Sequence, residues 1–580
     1  MRVSAWTRPV FWPIVFFALV LFYALYYAPY GINETDGGFL TGLAWQVVQG
    51  KTLYQDIVYV RPPLPVWLRA VELQILPPSW PILGERWIFY VKVAVYSWLA
   101  AAVLAAGRDR WRLAVFGFVV SAHCYPATAW HTVDGILCAV LAAYALFKMP
   151  GRGGAILAGV ALFAALLCKQ SFYPLAVFGL AAAYLHKPTR FTWLLAGFLL
   201  STALFFSYLY QNNLVTGFLR MTNGAASGGQ GLQHGVLDFF RIAPPLLGFS
   251  ILSLGAAAWF WKKQQLKIVY VIWSIWLAAL IVSYAFAIWQ RQDFTVPFAQ
   301  SRLLFWLAFG LICYKIVHSS PAYALRAMAG KYFILHIPAL FLLSISWCAA
   351  VSWGYNLPIL FATPGVWAAL EIGRRIFQTR RGNNWNADDA DDADLHGLKE
   401  NLRKSAQSAS SAFQLTLRGK YVLIERFVNL LALAALLIVF RFGYEFVYRD
   451  GRRSEMTEDL GHVFPALGGI YSNAETATLY SELKMLSERY GPNFKTLPSF
   501  PQANFLTNTL PPLPLDWVVA REMNGDSALI SKALHKNKPV LLIEKQYLAA
   551  IETDSQFLLV RSVIYSAARL EETSYFLIMQ

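Results

Sequence analysis

The chain has 580 residues, of which 57% are hydrophobic, 16% aromatic and 14% charged, which excludes an ordinary soluble globular protein, where about a quarter of residues carry charge. Its formal net charge of +16 excludes a nucleic-acid partner once the charges are placed. Lys and Arg gather in short segments between apolar runs, the pattern of inward-facing membrane loops, so one large helical membrane unit with appended soluble segments is expected.

Arg2 and Arg8 precede an apolar stretch from Val10 to Pro29 that is long for a signal sequence and lacks a small-x-small cleavage site, so it is read as a retained first helix. A span of about 20 apolar residues places helices at 10–29, 87–106, 113–130, 132–149, 154–169, 171–186, 191–210, 242–261, 267–288, 302–318, 332–350, 357–373 and 421–440, about thirteen in all. With the N-terminus inside, the inside loops hold Arg108/Arg110/Arg112, Lys148/Arg152, Lys187/Arg190, Lys262/Lys263/Lys267, Lys315/Arg326/Lys331 and Arg374/Arg375/Arg380/Arg381, all basic. The opposite set, 30–86, 211–241, 289–301 and 351–356, is longer or poorer in basic residues. Around Cys168-Lys169-Gln170 two short helices with no turn between them read the same as one kinked helix plus a re-entrant piece.

Residues 374–420 are polar, with an acidic run at 388–392, and suit a cytoplasmic linker before the last span at 421–440. An odd span count puts residues 441–580 outside as a small α/β domain, with strands expected at 539–543 and 556–560 and a rigid surface loop at the Pro-rich 510–514. The five cysteines form no CxxC or His/Cys cluster, so neither a disulfide framework nor structural zinc is expected. The fold class is therefore mainly α: a polytopic helical membrane protein of about 13 transmembrane helices, its multi-helix body at 1–373, with a small α/β soluble C-terminal domain.

Acidic residues are scarce, and Glu34, Asp36 and Asp56 stand together in the first outside loop, 30–86, just beyond a helix end. A carboxylate at the membrane boundary can take a proton from an acceptor hydroxyl or amine as that group attacks a sugar's anomeric carbon. The competing reading is that Glu34, Thr35 and Asp36 cap the next helix, whose apolar positions begin at Phe39. Farther along, Arg61 precedes Pro62-Pro63-Leu64. An Arg fixed beside two prolines can grip a phosphate in a fork, or it can simply snorkel at the interface.

Glu34-Thr35-Asp36 after the first helix, then Gly50-Lys51-Thr52-Leu53-Tyr54-Gln55-Asp56 and Arg61-Pro62-Pro63-Leu64, resemble the first extracytoplasmic loop of GT-C superfamily glycosyltransferases. That superfamily includes protein O-mannosyltransferases and the aminoarabinose transferases that modify lipid A. The resemblance implies a sugar taken from a polyprenyl-phosphate carrier on the non-cytoplasmic side, with Asp36 as base, Asp56 as a second carboxylate lining the acceptor side, Arg61 beside the Pro-Pro turn and Lys169 as a ligand for the carrier phosphate. Two departures stand out: Glu34 and Asp36 are separated by Thr35 where many members have adjacent acids, and Arg61 stands where many mannosyltransferases have His. Asp36 is preferred to Glu34 because Gly37 and Gly38 would let backbone approach a substrate.

Among the other boundary groups, Lys169 could also snorkel, Arg291 is a reserve phosphate ligand that could instead pair with Asp293, and His123, His131 and Asp134 read as hydrogen-bonding rather than metal-binding residues. The expected function is transfer of a sugar from a polyprenyl-phosphate donor to a lipid, glycan or protein acceptor in a bacterial inner membrane, with the N-terminus cytoplasmic and the C-terminal domain periplasmic. Whether a divalent metal assists is left open. A flippase of lipid-linked saccharides and a non-catalytic scaffold are the alternatives, the first requiring internal symmetry that the sequence does not display.

Overall fold

Proline punctuates the apolar runs, and in the computed structural model it opens the long helices. The structure describes residues 10–223 except 125, parts of 239–279, residues 295–318, 334–351 except 335, 363–368, 437, 440–447 and 450–580 except 525. The expected spans at 267–288, 357–373 and 421–440, the linker at 374–420 and Arg291 lie wholly or largely outside these residues.

The first described helices are α1 (Phe11–Tyr26), α2 (Asp36–Val48), α3 (Leu64–Ile75), α4 (Pro81–Leu104), α5 (Gly107–Ala122) and α6 (His131–Phe147). There follow α7 (Gly151–Leu166), α8 (Pro174–His186), α9 (Pro188–Gln211), α10 (Val215–Thr222), α11 (Pro244–Lys262), α12 (Thr295–His318) and α13 (Ile337–Ala350). A proline in the first helical turn gives up only an N–H that has no partner there, which suits Pro81, Pro174 and Pro188. Helices α4 and α9 have 24 residues each, about 36 Å at 1.5 Å per residue, against the roughly 30 Å of a bilayer's hydrocarbon core. Among the described residues these two are long and apolar enough to cross a membrane, and α1, α6, α7, residues Pro244–Phe260 of α11 and α13 are shorter apolar helices.

Helix α4 is mostly inside the bundle, whereas α9 presents Leu199, Leu200, Leu204 and Phe206 outward, an apolar face suited to lipid. Helices α7 and α9 meet backbone to backbone. A Cβ at Gly159 would lie 2.0 Å from the Leu194 carbonyl oxygen and one at Gly197 2.3 Å from that of Ile156, the small-residue contact by which membrane helices approach closely.

Two expectations are corrected here and one open reading is resolved. The loop 30–86 holds two helices, α2 and α3, and α4 already begins at Pro81. The helix expected over 113–130 stops at Ala122, because Pro126 disfavours helix before it, and non-helical chain carries Thr128 and Ala129 inward. The Cys168-Lys169-Gln170 region is a corner with a short 3-10 turn at Gln170–Phe172, so α7 and α8 are separate helices.

After the helical part, β1 (Glu458–Asp459) pairs with β2 (Tyr471–Ser472), and a four-stranded sheet runs β3 (Phe494–Leu497), β4 (Val540–Glu544), β6 (Phe576–Met579), β5 (Arg569–Glu572). The β3/β4 pair is parallel and the β4/β6 and β6/β5 pairs are antiparallel. Helix α14 (Ala474–Tyr490) buries Leu479, Tyr480, Leu483 and Leu486 in a core shared with Phe494, Leu542 and Phe576. The strand expected at 539–543 is β4. The one expected at 556–560 is instead the start of a helix, Leu558–Ser566, whose Val560, Val563 and Ile564 turn inward at helical spacing while Leu558 faces out. The Pro-rich segment is not a free surface loop: Leu513 is buried, and the Val58 N–H donates to the Pro514 carbonyl at 2.7 Å.

The domain is seated on the first loop. The Gly31 N–H donates to the Tyr471 carbonyl and the Tyr471 N–H to that of Pro29, both at 2.7 Å. The Asp450 carboxylate accepts from the Ile32 N–H at 2.7 Å, the Ser472 hydroxyl at 2.8 Å and the Asn473 amide at 2.7 Å. Helix α2 is therefore clamped between the bundle and the domain, with Phe39, Leu40, Leu43 and Ala44 in a core that also holds Leu497, Leu541 and Ile543.

Candidate active site beneath the C-terminal domain

Asp36 is the first residue of α2 and is buried. Its cap comes from a residue that the sequence reading passed over. The Asn33 side-chain oxygen accepts from the Asp36 N–H at 2.8 Å and from the Thr35 hydroxyl at 2.7 Å, so no capping bond is formed by the Thr35 side chain. The glycines after Asp36 serve packing rather than a substrate. A Cβ at Gly38 would lie 2.5 Å from that of Gln502, and the Gly37 carbonyl accepts from the Thr128 hydroxyl at 3.1 Å. Gln502 in turn donates to the Tyr480 hydroxyl oxygen at 2.6 Å.

The segment from Tyr59 to Leu64 is stitched to the α7–α8 corner: the Leu64 N–H donates to the Leu167 carbonyl at 3.1 Å, and the Gln170 side-chain amide to that of Val60 at 2.5 Å. Pro63 then leads into α3, so the two prolines open a helix rather than an extended turn. This stitching puts Arg61 beside Lys169. The Arg61 guanidinium lies 5.2 Å from the Phe39 ring centroid and forms a fork with Glu522 of the C-terminal domain, at 2.6 and 2.7 Å.

Glu522, burial notwithstanding, is held below the usual carboxylate range, first by the Arg61 charge and hydrogen bonds and then by Arg521 and Lys169. Asp36 is among the charges that favour protonated Arg61. Burial, then repulsion from Arg61, lowers the Lys169 ammonium to about 7 against an opposing pull from Glu522; the Lys169 Nζ donates to the Thr132 hydroxyl at 3.2 Å, in the first turn of α6. Phe39 is the hub of the site, its ring centroid 5.6 to 6.4 Å from those of Tyr59, His131 and Trp517.

The other expected residues lie elsewhere. Glu34 faces the domain at a second junction, accepting from Gln546 at 3.2 Å and from the Tyr547 hydroxyl at 3.4 Å. The same Gln546 nitrogen donates to Glu544 at 3.1 Å. Asp56 is exposed and closes its own turn, accepting from the Thr52 N–H at 2.9 Å, because a carboxylate four residues on is placed to fold back onto a backbone donor. The structure thus brings Asp36, Arg61 and Lys169 together and leaves Glu34 and Asp56 outside that group. His123 bonds the Tyr23 hydroxyl at 2.7 Å and Asp134 pairs with Lys92 at 2.8 Å. The five cysteines are free thiols, and among the described residues no three His, Cys, Asp or Glu side chains are grouped to hold a metal ion.

Below the site runs a buried chain of alternating charges. Glu85 meets Arg69 at 2.6 Å, Arg69 meets Glu72 at 3.4 Å, and Lys92 bridges Glu72 and Asp134 at 2.9 and 2.8 Å. Buried charges persist only when paired in this way. Glu85 also accepts from the Thr41 hydroxyl at 2.9 Å and from Thr128 and the Ala129 N–H, so it locks the start of α2 to the turn before α6. An ionisable residue at the edge of an apolar helix was the available signal for Glu85. Glu522 carries no such signal, since nothing local sets it apart.

What fold and site define together is an apolar helical body with a carboxylate and two cations at one end, roofed by a small mixed-sheet domain. Neither a protein-family profile nor a curated protein sequence matches the chain. Solved structures similar to it include ArnT from Cupriavidus metallidurans in the apo state, with 13% identity over 98% of this chain and 97% of that one and a TM-score of 0.46. An apo oligosaccharyltransferase from Archaeoglobus fulgidus matches at 11% identity over 96% of this chain and 73% of that one, with a TM-score of 0.45. The archaeal oligosaccharyltransferase AglB of the same organism, in complex with an inhibitory peptide and a dolichol-phosphate, matches at 12% identity over 95% and 72% with a TM-score of 0.40.

Proposed function

We propose that the protein is a membrane glycosyltransferase that moves a sugar from a polyprenyl-phosphate donor to a lipid, glycan or protein acceptor at the membrane face where the C-terminal domain sits, in a bacterial inner membrane. The observation that carries the reading is that Arg61 lies within electrostatic reach of both Asp36, at the start of α2, and Lys169, at the α7–α8 corner. A base and two cations gathered at one place are what displacement at an anomeric carbon with a phosphate leaving group requires.

In this mechanism Asp36 takes the proton of the acceptor hydroxyl or amine as its lone pair attacks the anomeric carbon. The bond from that carbon to the phosphate oxygen breaks with inversion, and the electron pair leaves on the polyprenyl phosphate. Lys169 and Arg61 balance the developing charge, with Arg291 in reserve. A phosphate leaving group needs no proton, so a single carboxylate suffices as base. The polyprenyl chain enters between helices from the lipid, and the domain over α2 selects the acceptor. Of the two acids in Glu34-Thr35-Asp36, Asp36 carries the chemistry and Glu34 the docking of the domain.

The test is transfer of labelled sugar from polyprenyl-phosphate donors by the purified full-length protein and its Asp36→Asn variant. Product from the wild type that disappears in the variant supports the proposal. Lipid movement without glycosidic product favours a flippase, and binding alone favours a scaffold.

A further inference from the structure

The Arg61 guanidinium points at a position already filled by the protein itself, within the electrostatic reach of Lys169. Glu522 is held below the usual carboxylate range there, its side chain 2% exposed, and Arg61, Arg521 and Lys169 all act on it. Its fork with Arg61, at 2.6 and 2.7 Å, has the geometry with which a guanidinium grips a carboxylate or a phosphate.

The surroundings have more hydrogen-bonding capacity than a carboxylate uses. The Tyr59 hydroxyl and the His131 Nδ1 are both buried, at 1% and 2% residue exposure, and neither has a hydrogen-bond partner among the described residues. Tyr59 feels the charges of Arg61 and Glu522, and the His131 ring is one of those ranged around Phe39. A buried polar group left unpaired is an unfavourable arrangement, and a tetrahedral phosphodiester, with two free and two ester oxygens, can satisfy partners that a planar carboxylate leaves over.

Glu522 also sits on a short connecting piece of chain, anchored inward by Val518 and Met523. Its helix has only four residues, Ala520–Met523, and lies between Trp517, whose ring meets Phe39, and Asn524, whose side chain donates to the Arg220 carbonyl at 2.9 Å. These contacts form a strap from the C-terminal domain across the site to the end of α10.

We propose that Glu522 is the resident anion of the donor-phosphate site, an affinity-setting residue that the phosphate must displace, so that donor entry and lifting of the strap at 517–524 are one event. The inference rests on the reading that Arg61 and Lys169 receive the donor phosphate. Its physical basis is occupancy of the fork. Arg61 presents one bidentate face and Glu522 already holds both of its contacts, so the singly charged phosphodiester of a donor finds that guanidinium taken. Glu522 and the phosphate therefore exclude each other, and the observed donor affinity is the intrinsic one reduced by the fraction of protein with the strap open.

The experiment uses the full-length protein in detergent with farnesyl phosphate as probe, measuring binding by calorimetry and backbone hydrogen exchange of residues 517–524. Glu522→Gln keeps the side chain's shape, removes its charge, and is expected to bind farnesyl phosphate at least tenfold more tightly, while Glu522→Asp stays near wild type. In the wild type, saturating probe speeds exchange across 517–524. Equal or weaker binding by Glu522→Gln with a wild-type melting temperature overturns the proposal, as does unchanged exchange at saturation, which reads the strap directly should the variant fold poorly. If Lys169→Met weakens binding while Glu522→Gln leaves it unchanged, the phosphate site stands and the displacement idea falls. If Glu522→Gln tightens binding but no donor yields a glycoside, the displacement idea stands and glycosyl transfer falls. Absence of binding in every form overturns both.

Discussion

Two carboxylates of the C-terminal domain meet the first loop, and they meet opposite partners. Glu522 meets the Arg61 guanidinium, whereas Glu544 meets Glu34 across the amide of Gln546. Burial works against both. For Glu522 the neighbouring cations win and its pKa falls. For Glu544 no cation among the described residues answers, so burial and then Glu34 raise it to about 8, and burial likewise raises Glu34. One junction is an ion pair set at the site, and the other is held by a proton away from it. The first suits a contact that a charged substrate can open, the second a permanent seat.

The largest expected effect comes from breaking the ion pair on one side. Arg61→Ala leaves Glu522 buried without its fork, and losing one partner of a buried pair costs about 3–5 kcal/mol. The thermal midpoint should drop by several degrees, and the double variant Arg61→Met with Glu522→Met should recover most of the loss. A double variant as unstable as the single one would mean that Arg61 acts through packing on Phe39 rather than through charge.

Next comes Lys169. Lys169→Met is expected to lower transfer by about 10–100-fold, in line with removal of one donor to a developing anion. The folded, unliganded Lys169 sits at about 7, and a bound phosphate favours its charged form, so binding takes up a proton above that pH. Farnesyl-phosphate affinity should therefore weaken as pH rises through 7 and beyond, and the slope should vanish in Lys169→Met. A pH-independent wild type would remove the charge of Lys169 from the site.

The other junction gives the smaller and opposite pH effect. Folded Glu544 binds its proton up to about 8, while the unfolded residue releases it near the ordinary carboxyl value. Between those limits the folded state holds more protons, so stability falls as pH rises and levels off above 8. Glu522, with its lowered pKa, contributes stability above the ordinary carboxyl value that is lost only as pH drops through the folded one. Melting curves from pH 5 to 9 should show the decline in the wild type and a flatter profile in Glu544→Gln. The smallest effect belongs to Asp56→Asn, which loosens one exposed turn by about 1 kcal/mol or less and should leave transfer unchanged.

Much of this was legible from residues, because apolar runs, prolines and basic loops act locally. Helices α6 to α9 fall close to their expected places for that reason, and β4 announced itself as Val540-Leu541-Leu542-Ile543. What escaped depends on distant chain. Residues 556–560 are apolar enough for a strand and become helical because Val560, Val563 and Ile564 find a core on one side. Asp36 and Lys169 were readable as boundary ionisable groups, but the partner of Arg61 lies 461 positions away, and no local pattern links them. Glu34 and Asp36 are two residues apart and cannot be told apart by sequence. The helix that starts between them turns one toward Gln546 and the other toward Arg61.

The central claim is that Asp36 is the base of a glycosyl transfer. The direct measurement is single-turnover formation of glycosidic product from a polyprenyl-phosphate sugar by wild type and Asp36→Asn, with farnesyl-phosphate affinity followed in the same samples. A positioned base contributes about 10²–10⁴-fold, so the account predicts a loss of that size in rate with donor affinity changed less than threefold. Transfer by Asp36→Asn at the wild-type rate would contradict it.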